Sequence, residues 1–224
     1  MRIMFISDTH MLHEKIHVPE CLDCIIHCGD EANSAQEHWN EDESRRFFAW
    51  YSDLPVDKKI FVPGNHSTAI SHGLIRPEQF PDVEFLIHEE PSIGPYSVFG
   101  SPYTPSFGKS WAYMKKRNRM EVVWDSVPDV DLLLTHGPPK GILDLTTDKD
   151  DHTKLFQAGC KALYNRVMEM EPLFHVFGHI HDEAGCHNHG VYSNGSTTFM
   201  NVSCGINKTS DVNQGVIIEL EGDV

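Results

Sequence analysis

The chain opens with RIMFISDTH (residues 2–10), an apolar run that leads directly into an aspartate and a histidine. A short, almost continuously apolar run is typical of a strand that is buried on both faces of a sheet. Four later runs have the same form and also end in polar side chains. They are CIIHCGD (24–30), KIFVPGNH (59–66), LLLTHGPP (132–139) and FHVFGHIH (174–181).

Strand-length apolar runs alternate with helix-length amphipathic stretches along the chain, which indicates an α/β protein. The predicted helices span about 41–53, 116–125 and 155–169. The predicted strands span 2–7, 23–28, 58–62, 84–87, 96–100, 130–135, 173–178, 191–193, 197–202 and 215–220. Asn194-Gly195 predicts a hairpin, so we expect the sheets to end in antiparallel strands. The Pro- and aromatic-rich segment 101–115 is predicted to be a long ordered loop.

Length and charge limit the possible functions. A chain of 224 residues favours a single domain over 1–224. Its net charge of −15 repels phosphate backbones and anionic lipid surfaces, so we expect no stable binding to nucleic acid or membranes. No apolar stretch approaches the ~18 residues of a spanning helix. Cys21 and Cys24 form an isolated C-x-x-C, so free thiols and a cytoplasmic location are expected.

The five strand-like runs all end in side chains that can bind metal ions. In open α/β sheets, the carboxyl ends of the strands are where ligands bind. Carboxylate, amide and imidazole ligands without a thiolate suit Mn, Fe, Co, Ni or Zn. The set is too large for one tetrahedral ion, but it suffices for two ions that share a carboxylate. The candidate ligands are Asp8, His10, Asp30, Asn65, His136, His179 and His181.

A pair of metal ions indicates a class of reaction. Two ions about 3.5–4 Å apart are the usual machinery for attack on a phosphoryl centre, and they lower the pKa of a bound water to about 7. Their positive charge also allows an acidic protein to attract a phosphate locally. We therefore expect hydrolysis of a small phosphate ester by a metal-bridging hydroxide.

The ordered blocks Asp-x-His, Gly-Asp, Gly-Asn-His, Thr-His-Gly and Gly-His-x-His resemble the calcineurin-like metallophosphoesterase superfamily. The fuller stretches SDTH, IIHCGD, VPGNH, GSPYTP, LLLTHGPP, HVFGHIH and NVS are similar to its branch of small single-domain, cyclic-nucleotide-phosphodiesterase-like proteins. The resemblance runs from Phe5 to about Ile218. It implies a four-layer α/β/β/α sandwich of two mixed sheets, with a dinuclear metal site at the strand ends.

The resemblance also implies roles for the candidate residues. It implies two metal ions, with manganese favoured and Fe, Zn, Ni or Co as alternatives, and Asp30 as the bridging carboxylate. The ligands of the first metal are Asp8, His10 and His181. The ligands of the second metal are Asn65, His136 and His179. His66 matches the motif histidine that contacts the phosphate and protonates the leaving oxygen, and such general acid catalysis contributes about 10²–10⁴ in rate.

Two features depart from the family pattern. Many relatives place an acidic residue after Gly-Asn-His, but this chain has Ser67, so a possible acceptor for the motif histidine is lost. Asp30 is followed by EANSAQ (31–36) instead of the Arg-Gly found in phosphoprotein phosphatases and dinucleoside polyphosphate hydrolases. The expected substrates are therefore small phosphodiesters, cyclic nucleotides among them, or monoesters.

Two other functions stay open at this point. One is a metal-binding scaffold or regulatory module that has lost turnover, although such a protein has no chemical need for His66. The other is a nuclease of the same superfamily, although the net charge of −15 disfavours it.

Several residues outside the motifs are expected to have structural or solvent-exposed roles. We expect His187 and His189 to be loop histidines, since seven ligands already satisfy two metals. The aromatic residues of 101–115 either stack on a substrate or pack on the sandwich. They are Tyr103, Phe107, Trp111 and Tyr113. Packing is expected for Trp111, and both roles stay open for Tyr103. The basic run at 115–119 is expected to be the solvated start of a helix, and the alternative is a patch that steers phosphate toward the site.

Overall fold

The computed structural model describes residues 1–148, 151 and 153–222. The strands are β1 (Arg2–Ile6), β2 (Cys24–His27), β3 (Lys58–Phe61), β4 (Val83–Phe85), β5 (Ser92–Ile93), β6 (Tyr96–Ser101), β7 (Thr104–Pro105), β8 (Met114–Lys115), β9 (Leu132–Thr135), β10 (Leu145–Thr147), β11 (Leu155–Gln157), β12 (Phe174–Phe177), β13 (Gly190–Ser193), β14 (Thr198–Asn201) and β15 (Val216–Glu219). The helices are α1 (Glu37–Asp53), α2 (Thr68–Ser71), α3 (Met120–Trp124) and α4 (Lys161–Met170).

Eleven of these strands form two mixed sheets, as expected, and the other four form the two-stranded sheets β7-β8 and β10-β11. The first has the order β15-β1-β2-β3-β4, with β1 to β4 parallel and β15 antiparallel to β1. The second has the order β13-β14-β12-β9-β6-β5, in which the four central strands are parallel and the two edge strands are antiparallel to their neighbours. The parallel strands β1, β2, β3, β9 and β12 are the five that carry the motifs.

Side-chain alternation divides the core into three layers. In β2, Ile25 faces α1, and Ile26 faces the second sheet. In β9, Leu134 faces the first sheet, and Leu133 faces the layer of α3 and α4. Because both sheets are covered on both faces, the strands are apolar almost throughout, which is the pattern that made them recognisable. The result is the predicted α/β/β/α sandwich.

The predicted helix 155–169 is wrong in its first third. Leu155–Gln157 is a strand that pairs antiparallel with β10, and the helix begins only at Lys161. A Cβ on Gly159 would lie 2.6 Å from the carbonyl oxygen of Pro139, so the chain passes too close to its neighbour there for a helical turn with side chains. The thiol of Cys160 then caps the shorter helix.

Other boundaries differ by less. Helix α1 begins at Glu37, earlier than predicted, and the region 116–125 starts as a 3₁₀ turn before α3. The predicted loop 101–115 contains β7 and β8, which pair in parallel. Strand β14 is antiparallel to β13 but parallel to β12, so the antiparallel ending applies only at the edges. Among the described residues, none of the helices has the length and apolarity needed to span a membrane.

The burial of side chains between the two sheets predicts how one substitution changes the free energy of unfolding. Ile26 is fully buried there, so Ile26→Ala should lower the free energy of unfolding by about 2–5 kcal/mol. Ile217→Ala is the matched control, because Ile217 is 37% exposed on β15 and should lose less than about half as much. Urea unfolding monitored by circular dichroism measures both, and equal losses would show that the inter-sheet layer is loosely packed.

Candidate metal centre

The predicted ligands lie on turns that leave the strands in an unusual conformation. Four of these residues have left-handed backbones: Asp8 (φ 51°), His10 (φ 40°), Asp30 (φ 59°) and His179 (φ 70°). A non-glycine residue in this region costs on the order of 1–3 kcal/mol, and such residues persist where the surrounding structure fixes them. Each turn redirects the chain at a strand end, and the side chains converge between the two sheets.

Asp8, His10 and His181 form the first group of potential ligands. Oδ1 of Asp8 lies 3.1 Å from Nε2 of His181 and 4.0 Å from Nε2 of His10. The two Nε2 atoms are 3.2 Å apart. The other carboxylate oxygen of Asp8 accepts hydrogen bonds from the backbone N–H of His179 and the hydroxyl of Ser203, both at 2.8 Å. One oxygen is therefore fixed by the protein, and the other faces the imidazoles.

Asp30, His136 and His179 form the second group. Nε2 of His136 lies 3.3 Å from Oδ2 of Asp30 and 2.9 Å from Oδ1 of Asn65. The same Asp30 oxygen is 3.9 Å from Nε2 of His10, which belongs to the first group. Asp30 therefore lies between the two groups, where a bridging carboxylate would have to be.

Hydrogen bonds on the far side of each ring set the tautomer of the imidazoles. Nδ1 of His10 contacts the carbonyl oxygen of Ala32 at 2.9 Å, and Nδ1 of His136 contacts that of Cys28 at 2.8 Å. A carbonyl only accepts, so each Nδ1 carries a proton, and Nε2 is the ring nitrogen directed at the site, where it can bind a metal once it is deprotonated. Such partners orient metal-binding histidines and increase their basicity.

Two glycines of the motifs are required by the closeness of the carboxylates. A Cβ on Gly64 would fall on Oδ1 of Asp30, and a Cβ on Gly178 would fall on Oδ2 of Asp8. These glycines leave room for the carboxylates to lie directly against backbone.

The charges of the two carboxylates are balanced by histidine. Burial would raise the pKa of Asp8, but hydrogen bonding and attraction from His181 outweigh it and lower the pKa. Burial would also raise the pKa of Asp30, but the charge of His136 outweighs this effect. The pKa of Asp30 therefore lies well below its ordinary value. In return, Asp30 overcomes the burial of His136 and raises its pKa to about 9.

The remaining imidazoles are neutral at pH 7. Burial, reinforced by the charge of His181, lowers the pKa of His10 to about 4. Burial, reinforced by the charge of His136, lowers that of His179 to about 3. Neutral imidazoles and ionised carboxylates are the forms that bind divalent metals, so the donor set fits a metal pair once His136 and His181 release their protons on metal binding.

His66 lies at the edge of this cluster. Its backbone N–H donates to Oδ1 of Asp30 at 2.7 Å, and its Nδ1 contacts the carbonyl oxygen of Asn33 at 2.9 Å. The ring of Trp111 lies over it, with the ring centroids 4.0 Å apart. The expectation that Trp111 packs on the sandwich is therefore wrong, because Trp111 lines the recess above the ligands.

A buried acid, Glu31, lies against Ser67, while the acceptor for Nδ1 of His66 is the carbonyl oxygen of Asn33. Glu31 is fully buried and accepts hydrogen bonds from the hydroxyls of Ser67 at 2.6 Å and Ser44 at 2.7 Å. Ser67 in turn accepts from the backbone N–H of Gly64 at 2.9 Å. Glu31 thus braces the Gly64–Ser67 turn that presents Asn65 and His66. Sequence reasoning missed this residue, although its position directly after Asp30 was a signal.

Two further predictions from sequence concern nearby residues. His187 and His189 lie outside the groups of potential ligands found among the described residues. Nδ1 of His189 contacts the carbonyl oxygen of Ser203 at 3.1 Å. In the basic run, Lys115 lies over the ring of Tyr103, so this lysine packs on an aromatic ring of the 101–115 segment.

The family profile described as Calcineurin-like phosphoesterase matches residues 1–183, which include every candidate ligand. The chain belongs to the calcineurin-like phosphoesterase family. Members of this family bind divalent metal ions in a dinuclear site. The two ligand groups, joined at Asp30, agree with that chemistry.

Curated relatives and solved structures support the assignment. Metallophosphoesterase domain-containing protein 1 of Homo sapiens is 31% identical over 98% of this chain and 71% of its own length. A UPF0046 protein of Caenorhabditis elegans is 30% identical over 91% of this chain and 69% of its own length. The crystal structure of phosphopantetheinyl hydrolase (PptH) from Mycobacterium tuberculosis has the same fold, with a TM-score of 0.58 at 16% identity over 91% of this chain and 89% of that one.

Asp30 lies between the two groups of potential ligands, and this position predicts the effect of substituting it. Asp30→Asn keeps the size and tolerates a left-handed backbone, but it removes the charge between the two groups. Metal affinity should fall by more than the ~10–100-fold that is typical for loss of an outer partner, for both ions. Elemental analysis after dialysis against manganese measures ions per chain. Asp129→Asn, the same change at an exposed aspartate before β9 and at the opposite end of that strand from His136, is the control and should keep its metal. Two ions retained in Asp30→Asn would show that Asp30 is not the bridge.

The raised pKa values of His136 and His181 predict how the stability of the metal-free protein depends on pH. Their protonated forms stabilise the fold fully below pH ~6.5, the ordinary histidine value, and this stabilisation is lost as pH rises through the folded pKa. In chelator, the free energy of unfolding should therefore fall between about pH 6.5 and 8, below the range in which thiols ionise. Urea titrations of the wild type and of His136→Gln test this. A flat profile in the wild type, or an equal slope in the variant, would contradict it.

Proposed function

We propose that the protein hydrolyses small phosphodiesters or phosphomonoesters, cyclic nucleotides being one candidate class. The observation that carries the proposal is the position of His66, whose backbone donates to Asp30 while its ring faces the recess above both ligand groups. A site that only held metal would not need a further imidazole at this position. The family description as phosphoesterases supports the same class of reaction.

In this proposal, the metals are held in two groups around Asp30. When bound, two divalent ions supply a nucleophilic water at neutral pH and withdraw charge from the phosphoryl oxygens. We propose manganese, since the ligands are carboxylate, amide and imidazole. The residues that would hold the two ions are Asp8, His10, Asp30, Asn65, His136, His179 and His181.

His66 acts on the substrate in this proposal. Its Nδ1–H donates to the carbonyl oxygen of Asn33, which fixes the plane of the ring. The Nε2–H is then available to the ester, first to a phosphoryl oxygen and then to the departing oxygen. Trp111 covers one face of the ring and keeps it from turning away.

The proposal also covers the cellular location of the protein and its partners. The six cysteines are free, and all but Cys21 are buried, which supports a reducing, cytoplasmic location. The net charge of −15 disfavours stable binding to nucleic acid or membranes, and the proposed partner is a small phosphate ester that the metal pair attracts locally.

One assay separates this proposal from the alternatives. Purified protein with added Mn²⁺ should hydrolyse bis(4-nitrophenyl) phosphate, and chelator should abolish the activity. Metal binding without turnover of diesters or monoesters would make the protein a scaffold. Cleavage of linear duplex DNA at a comparable rate would make it a nuclease.

The role of His66 predicts a dependence on the leaving group. His66→Ala should keep its metal and lower kcat by about 10²–10⁴ for an alkyl ester, which needs protonation to leave. The deficit should be smaller for a 4-nitrophenyl ester, because nitrophenolate can depart unprotonated. His72→Ala, at a half-exposed histidine that pairs with Glu37, is the control.

Metal content and the two rate deficits together decide between the possible roles of His66. Equal deficits on both esters would indicate phosphate binding instead of acid catalysis. Loss of metal would make His66 a ligand, as its distance to His10 and Asp30 also permits.

A further inference from the structure

A second cavity opens beside the recess above the candidate ligands. The recess has a volume of about 190 Å³, and the neighbouring cleft has a volume of about 450 Å³. Four residues line both spaces: Phe107, Thr146, His179 and Ile180. The cleft is therefore continuous with the metal centre, and its volume lies in the range of about 300–1,000 Å³ typical of small-molecule sites.

The walls of the cleft are mainly apolar and aromatic. Phe107 is 56% exposed and Phe156 is 46% exposed, so neither ring is covered by the protein. The ring of Phe107 lies against His179, with the centroids 5.2 Å apart. Large apolar side chains left exposed in a concave surface indicate a binding site.

A positively charged side chain is fixed in place at one side of the cleft. Arg117 donates from Nη2 to the carbonyl oxygen of Ala158 at 3.0 Å and from Nη1 to that of Gly159 at 3.3 Å. These bonds fix the guanidinium at the wall, where its planar face and its charge suit an aromatic or electron-rich ring. In this way one member of the basic run faces the site and not only solvent.

We propose that this cleft binds the organic group of the phosphate ester, and that the group it prefers is a flat aromatic ring system. The proposal rests on the proposed function, since a phosphate held at the metal centre places its substituent at the mouth of the cleft. Phe107 and Phe156 both line the cleft, so a flat ring that enters it covers apolar surface that the fold leaves in water. An aliphatic substituent of the same charge gains less, because it lacks stacking with these two rings.

The preference can be measured without turnover. Methylphosphonate and 1-naphthylphosphonate carry the same charged group and no ester bond, so both occupy the site without reaction. Titration calorimetry of the manganese-loaded protein should give tighter binding of the naphthyl compound by at least about tenfold. Phe107→Ala and Phe156→Ala should each reduce that advantage by about 2- to 10-fold, and Phe156→Ala, which alters only the cleft, should leave the affinity for methylphosphonate unchanged.

Two further variants make the result specific. Tyr192→Ala removes an aromatic ring of similar exposure, 49%, from the distant edge strand β13 and should have no effect. Ala158→Trp fills the cleft from the opposite side and should abolish the naphthyl preference while methylphosphonate still binds. Because Phe107 and Phe156 are about half exposed, their removal leaves the core intact, and circular dichroism verifies the fold of each variant.

Several outcomes would overturn the proposal. Equal affinity for the two phosphonates would do so, as would an advantage that survives Phe156→Ala and Ala158→Trp, or no binding of either compound. Self-association of the wild type that Ala158→Trp abolishes, without a naphthyl preference, would assign the cleft to a second copy of the chain. A naphthyl preference in a protein that hydrolyses no ester would support the cleft and reject the proposed function.

Discussion

Two buried carboxylates at the junction of the sheets, Asp8 and Asp30, determine the rest of the site. Removing an unpaired charge from water costs several kcal/mol, so each carboxylate requires partners in the fold itself. One oxygen of each accepts backbone N–H groups, from His179 and His66. The other oxygen faces imidazoles. The left-handed turns and the glycines of the motifs follow from this requirement, because only a turned backbone aims an N–H group inward at such short range.

The sequence predicts the parts of this arrangement that depend on local pattern. The runs around Ile26 and Leu134 are apolar on both faces and so mark buried parallel strands, and the ligand types at their ends follow directly. The features that the sequence does not predict depend on contacts between segments that are distant along the chain. Nothing near Leu155 indicates that it pairs with β10, and a helical pattern is the natural prediction until that pairing is known.

The bracing of the Gly64–Ser67 turn by Glu31 also depends on a contact between distant segments. From position 67 alone the sequence predicts the loss of an acceptor for His66, but Nδ1 of His66 bonds to the carbonyl oxygen of Asn33. In the fold, position 31 lies next to position 67 and is bonded to its hydroxyl. Trp111 was missed for the same reason, because its contact with His66 joins two segments that have no common pattern.

The pairing of β15 with β1 has a consequence for synthesis. Strand β1 carries the chain into Asp8, yet its outer neighbour is Val216–Glu219, and the carboxylate of Asp8 is bonded to Ser203. During translation the first motif therefore leaves the ribosome shortly before β2, with which β1 also pairs, but long before β15 and Ser203. The outer edge of β1 stays unpaired until β15 has been made, which favours assistance by chaperones at that stage. The candidate site likewise forms only after His181 and Ser203 have been made, so local folding of the first motif cannot create it.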